Sequence, residues 1–192
     1  MRYFLIYKPF GVQSQFRPGE GQIGLGSLYD FPEDVYPVGR LDADSEGLLL
    51  LTNDTYINKQ LLDPANKHWR TYFVQVEGTI TTEAIEQLKK GVSISIDGKK
   101  HFSGPARAGI IDTPELPSRI PPIRFRKSVP DSWLELSLTE GKNRQVRKMT
   151  AVVGFPTLRL VRVKIENLTM EEPISGKVTE LEKSEVYKKL NL

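Results

Sequence analysis

Residues 37–54 read PVGRLDADSEGLLLLTND. Gly39 opens a corner in which Arg40 and Asp42 flank a single leucine, and an apolar run at residues 48–51 follows close behind. The run predicts a buried strand over residues 48–52. Such a strand leaves Asp42 on a loop held by a rigid element, where functional side chains are best placed. Beyond it, Asp54 can cap a helix whose apolar positions Ile57 and Leu61 lie four apart before Pro64 ends it. Spacing alone leaves a second reading of the corner open: a surface turn carrying an Arg–Asp pair worth less than about 1 kcal/mol.

Working outward, residues 3–7 read as a short strand closed by the Lys8-Pro9-Phe10-Gly11 turn, and residues 13–31 as a long polar, Gly-rich loop. Residues 70–77 alternate as a strand, with Tyr72, Val74 and Val76 on one face. Thr81 or Thr82 caps a helix that turns Ile85 and Leu88 inward and stops at Gly91. Short strands are expected at 92–96, 106–111 and 133–138. The segment 112–133 holds five prolines and reads as an extended loop.

Residues 144–153 predict a helix stopped at Gly154, with Val146, Met149 and Val153 on one face and Arg144, Arg147 and Lys148 opposite. One face packs and the other can hold phosphates. Leu158 and Leu160 alternate out of phase with Val161, Val163 and Ile165, which predicts a bulged strand. A strand and a short terminal helix close the chain. The expected class is α+β: a central, mainly antiparallel mixed sheet flanked by helices, forming one domain over residues 1–192 with room for two lobes.

Composition narrows the chemistry. There is no cysteine and only His68 and His101 offer imidazole, so a thiolate metal site or disulfide framework is excluded and a metalloenzyme is disfavoured. The apolar start is interrupted by Lys8 and Pro9, too soon for a signal peptide or membrane span, so a cytoplasmic protein is expected. Net charge is only +3, but Arg119, Arg124, Arg126, Lys127, Lys142, Arg144, Arg147 and Lys148 crowd one segment against Asp131, Glu135 and Glu140. That segment is the expected polyanion face.

The GRLD string within 37–54 resembles the signature of the RsuA-type pseudouridine synthases. IYKPFGV resembles their KPxG turn, RTYFVQVEG their tyrosine-bearing strand, and EGKNRQVRKM with VGFPTLRLVR their later motifs, in the same order. Relatives such as RsuA begin with a small S4 domain, and the KPxG match so close to residue 1 leads us to expect no S4 domain here. The resemblance implies a pseudouridine synthase that isomerises one uridine of 23S, large-subunit ribosomal RNA, as a monomer, without cofactor and away from membranes. It makes Asp42 the nucleophile, or the base that takes a ribose proton in a competing scheme. Either role needs an ionised carboxylate, and burial would oppose ionisation, so a cation beside it is expected; the matching family position is Lys142.

By the same resemblance Tyr72 packs on the base and assists loss of the C5 proton, Leu158 closes the base pocket, and Arg40 fills the space left by a flipped nucleotide. Lys8, Arg124, Arg126, Arg144, Arg147 and Lys148 join Arg40 and Leu158 as expected substrate contacts. Without that context a tyrosine alternating with valines is more often core than catalyst, and a basic helix face is more often merely solvated. The alternatives are action on 16S rRNA or tRNA, an N-glycosidase using the same aspartate, and a non-catalytic rRNA-binding assembly factor. Two patterns are set aside. Gly19 to Gly24 fits G-x-G-x-x-G, with Asp44 at the spacing of a ribose-binding acid, but no strand leads into it and Pro32 cuts short any following helix. Asp42 and Asp44 as a glycosidase pair cannot be judged from an i, i+2 spacing.

Overall fold

The computed structural model describes residues 1–124 and 128–192, so the expectations for Arg126 and Lys127 lie outside the described residues. In chain order the strands are β1 (Tyr3–Lys8), β2 (Val12–Gln13), β3 (Ile23–Gly24), β4 (Tyr36–Pro37), β5 (Glu46–Thr52) and β6 (Arg70–Glu77). They continue as β7 (Ser93–Ile96), β8 (Lys99–Phe102), β9 (Arg107–Ile111), β10 (Asp131–Leu138), β11 (Thr157–Ile165), β12 (Leu168–Thr169) and β13 (Val178–Glu180). The helices are α1 (Thr55–Leu62), α2 (Thr82–Lys90), α3 (Gln145–Val152) and α4 (Lys183–Leu190).

Among the described residues one mixed sheet runs β13-β1-β5-β11-β6-β10-β9, with β4 added to β5 and β12 to β11. Every pairing in it is antiparallel except β5 with β11, as the mainly antiparallel expectation requires. The leucine run explains the layering. Leu49 and Leu51 point into one core with Phe4, Ile6, Val74 and Leu134, while Leu48 and Leu50 point into a second with Tyr3 and Leu5. A strand that buries both faces needs helices on both sides. α2 and α3 supply Ala84, Ile85, Leu88, Val146 and Met149 to the first core, and α1 and α4 supply Ile57, Leu61, Val186 and Leu190 to the second.

The helix starts follow local chemistry. The Asp54 carboxylate accepts the Tyr56 N–H, and the Thr81 hydroxyl accepts that of Ala84. The helix expected from residue 144 begins one residue later, because Arg144 has φ of 52° and stands outside it. β11 is bulged, with register breaks between Thr157 and Arg159 and between Arg162 and Lys164. The expected loop at 13–31 contains the short parallel pair of β2 and β3 and a 3₁₀ turn at Leu25–Ser27. An aromatic cluster of Phe4, Phe16, Tyr29 and Phe31 secures it. β8 was not expected; it forms a hairpin with β7 apart from the main sheet.

Candidate active site

Asp42 lies between β4 and β5 on a loop whose neighbours are tied on both sides. The Ser14 hydroxyl accepts the Leu41 N–H at 3.0 Å and donates to the Leu41 carbonyl at 2.8 Å. The Gly11 N–H donates to the Ala43 carbonyl at 2.7 Å, and the Ser45 N–H to that of Asp42 at 3.0 Å. Below the loop, β5 approaches β11 so closely that a Cβ on Gly47, whose φ is +100°, would lie 2.3 Å from the Arg162 carbonyl oxygen. Only glycine permits that contact at that φ. The carboxylate is thus presented from a fixed backbone.

It opens into a cleft of about 730 Å³, within the usual range for small-molecule sites. Tyr72, Leu138, Val146 and Leu160 give the cleft apolar lining, and Arg40, Lys142 and Arg144 give it cations. Tyr72 comes from β6, Leu160 from β11, and the cations from two loops, so four separate chain segments converge here.

Several expectations change in detail. The Asp42 side chain is 42% exposed rather than buried, and among the described residues the cation paired with it is Arg144, whose Nη1 stands 3.7 Å from Oδ2. Lys142 lines the same cleft but makes no ion pair with Asp42; its N–H donates to the Gln145 side-chain carbonyl at 2.9 Å. Leu158 does not line this cleft. It borders a separate cavity of about 310 Å³ with Gln75, Arg119, Ile123 and Arg124, because the bulge at Thr157/Arg159 shifts strand phase and gives the cleft position to Leu160.

Lys8, expected at the substrate, does not line the cleft. It is fully buried, and its ammonium donates to the Pro9, Val12 and Ala43 carbonyls at 3.0, 2.6 and 3.4 Å. Burial pushes its pKa down to about 8. Lys8 ties the opening turn to the backbone beside Asp42. Arg147 also departs from the solvent-facing role. Its side chain is 14% exposed, Nη2 donates to the Asp44 carbonyl at 2.6 Å, and Nε lies 3.4 Å from the Asp44 carboxylate. Lys148 is half-buried on α3, outside the cleft lining, and Arg124 is exposed beside the separate cavity.

Asp44, set aside as a ribose acid or glycosidase partner, proves to be an arginine clamp. Arg144 forks onto its two carboxylate oxygens at 3.0 and 2.8 Å. Burial would raise the Asp44 pKa, but the Arg144 and Arg147 guanidiniums outweigh it and hold the group below the usual carboxylate range. Beneath the loop, Glu46 and Arg159 form a buried fork at 2.9 and 2.8 Å, and Arg159 also donates to the Pro117 carbonyl at 2.7 Å. The buried Arg162 donates from Nε to the Leu48 carbonyl at 2.8 Å, and burial pushes its pKa down. No sequence signal marked these three as buried, since each reads locally as a surface charge.

The geometry therefore offers an exposed carboxylate, an aromatic and an aliphatic side chain to hold a planar ring, and cations around the rim. A family model described as RNA pseudouridylate synthase matches residues 2–152. The chain belongs to the RNA pseudouridylate synthase family. The chemistry of these synthases is isomerisation of uridine in RNA. A ribosomal large subunit pseudouridine synthase E of Xanthomonas axonopodis pv. citri is 52% identical over 164 residues, covering 84% of each chain. A relative of the same name from Vibrio vulnificus is 43% identical over 180 residues, covering 94% of this chain and 75% of its own. A crystal structure of a pseudouridylate synthase superposes with a TM-score of 0.79 at 26% identity, covering 98% of this chain and 73% of that one. Among the described residues of this synthase, no helix is long and apolar enough to cross a membrane.

Proposed function

We propose that this synthase converts one uridine of 23S rRNA to pseudouridine, with Asp42 as the reacting carboxylate. The observation that carries the reading is the convergence of Asp42, Tyr72 and the Lys142–Arg144 loop on one cleft, in a chain whose relatives are named for the large ribosomal subunit. The reaction breaks the uridine N1–C1′ bond, turns the detached uracil, joins C5 to C1′, releases the C5 proton to solvent and leaves N1 protonated in its place. Nothing is added or removed. Asp42 attacks C1′ or takes a ribose proton, and the ring turns against Tyr72 and Leu160. Arg144 and Lys142 stabilise the charge on the carboxylate and on the detached base. The exposure of Asp42 suits this work, because RNA must bring a flipped nucleotide to it and exclude water on arrival.

The same reading has the protein acting as a monomer in the cytoplasm without a cofactor. Its test supplies purified protein with protein-free 23S rRNA, 16S rRNA and bulk tRNA in parallel, followed by chemical mapping of pseudouridine. One modified position in 23S rRNA is expected. Modification confined to 16S rRNA or tRNA would overturn the substrate, and no modification of any of them would overturn the activity.

A further inference from the structure

The β7–β8 hairpin has no part in the chemistry above, yet it borders the cleft. Its two-residue turn, Asp97-Gly98, has φ of 48° and 76°, the all-positive signature of a tight hairpin turn, and Ile96 pairs with Lys99 across it. Asp97 itself lines the cleft that holds Asp42. The hairpin is fixed at its other end: β7 packs on α3, and Ile94 is buried in the core of the cleft side.

The alternation of β8 decides which of its cations faces the cleft. His101 pairs with Ile94 and points its Nε2 at the Glu140 carboxylate, 3.1 Å away. Glu140 also accepts the Gly104 N–H at 2.8 Å and the Gln145 side-chain amide, and Gln145 in turn accepts the Lys142 N–H. One carboxylate thus joins the hairpin to the loop that carries Lys142 and Arg144. Lys99 lies two residues from His101 and so shares its face. Lys100 and Phe102 occupy the other face, where Phe102 is 64% exposed. Lys99 and Lys100 are both exposed, and among the described residues no ion pair engages either of them. Two adjacent lysines of equal charge therefore differ in direction.

We infer that the β7–β8 hairpin is an outer wall of the RNA-binding cleft, on which Lys99 contacts an RNA phosphate and Lys100 does not. The inference rests on the reading of the cleft as an RNA site. A phosphate near the turn must pass the Asp97 carboxylate, and Lys99 is the hairpin's charge able to offset that repulsion.

The test measures tritium release from a 23S rRNA transcript labelled at uridine C5, in a salt series, for wild type, Lys99→Gln, Lys100→Gln and Asp97→Asn. One lost phosphate contact lowers the salt slope by about 0.7–0.9, so between about 50 and about 200 mM KCl the rise in KM should be about threefold smaller for Lys99→Gln. Its kcat should be unchanged, Lys100→Gln should match wild type, and Asp97→Asn should lower KM. Equal effects of the two lysines, or none from Lys99→Gln, would overturn the inference while wild-type turnover left the activity standing. A wild type with no release would overturn both.

Discussion

Asp44→Asn tests whether the clamp organises the reacting loop. The change keeps the shape and removes the charge that meets the Arg144 fork at 3.0 and 2.8 Å and the Arg147 Nε at 3.4 Å. The Arg144 side chain is 43% exposed, so screening limits its loss to less than about 1 kcal/mol. Arg147 is only 14% exposed, and its Nε has no hydrogen-bond partner, so losing the carboxylate leaves a desolvated cation at a cost of about 1–2 kcal/mol. Together these give about 2 kcal/mol, or about 4–8 °C in Tm for a chain of this size. The released Arg144 should also leave Asp42, and a shift of about 1 Å at a reacting centre costs up to about a hundredfold in rate. Thermal denaturation by circular dichroism and single-turnover tritium release would measure the two effects. A Tm within about 1 °C of wild type with unchanged turnover would refute the clamp.

Leu160→Ala should lower kcat/KM by about tenfold or more, as expected for an apolar contact with the ring, whereas Leu158→Ala should leave it unchanged; the opposite order would restore Leu158 to the base pocket. Glu46→Gln should cost about 3 kcal/mol in urea unfolding by stranding buried Arg159, and Glu46→Met combined with Arg159→Met should recover most of it. A small loss in the single variant would mean that water already reaches the pair. Burial would raise the Asp54 pKa, but the Tyr3 and Tyr187 hydroxyls, at 2.7 and 2.8 Å, and the Tyr56 N–H hold it below the usual range. A depressed folded pKa stabilises above the unfolded value and is lost as pH falls through the folded one. The Tm advantage of wild type over Asp54→Asn should therefore be full at neutral pH and shrink as pH drops below about 4; an advantage that persists on acidification would contradict this.

Much of the fold was legible because apolar periodicity survives into the structure. The leucine run, the alternation around Tyr72 and the caps at Asp54 and Thr81 follow from local pattern, and so does a bulged β11, although its breaks lie at Thr157/Arg159 and Arg162/Lys164 rather than between Leu160 and Val161. β8 was not, because KKHF carries no buried apolar face; the Asp97-Gly98 dipeptide ahead of it was the available signal. Leu160 holds the cleft position expected of Leu158 because a bulge shifts strand phase at a point that sequence does not locate. Buried Lys8, Glu46, Arg159 and Arg162 were illegible for another reason. Their partners are backbone carbonyls, or charges more than a hundred residues away as in the Glu46–Arg159 pair, and nothing local distinguishes them from solvated charges.

The central claim is that the Asp42 carboxylate carries the bond-breaking step. Asp42→Asn retains the backbone ties through Leu41, Ala43 and Ser45, so the fold and the cleft should persist. The decisive measurement is tritium release from C5-labelled 23S rRNA by the purified variant, with RNA affinity measured in parallel. No detectable release is expected, with RNA affinity retained. Release near the wild-type rate would contradict it and move the chemistry to another group in the cleft.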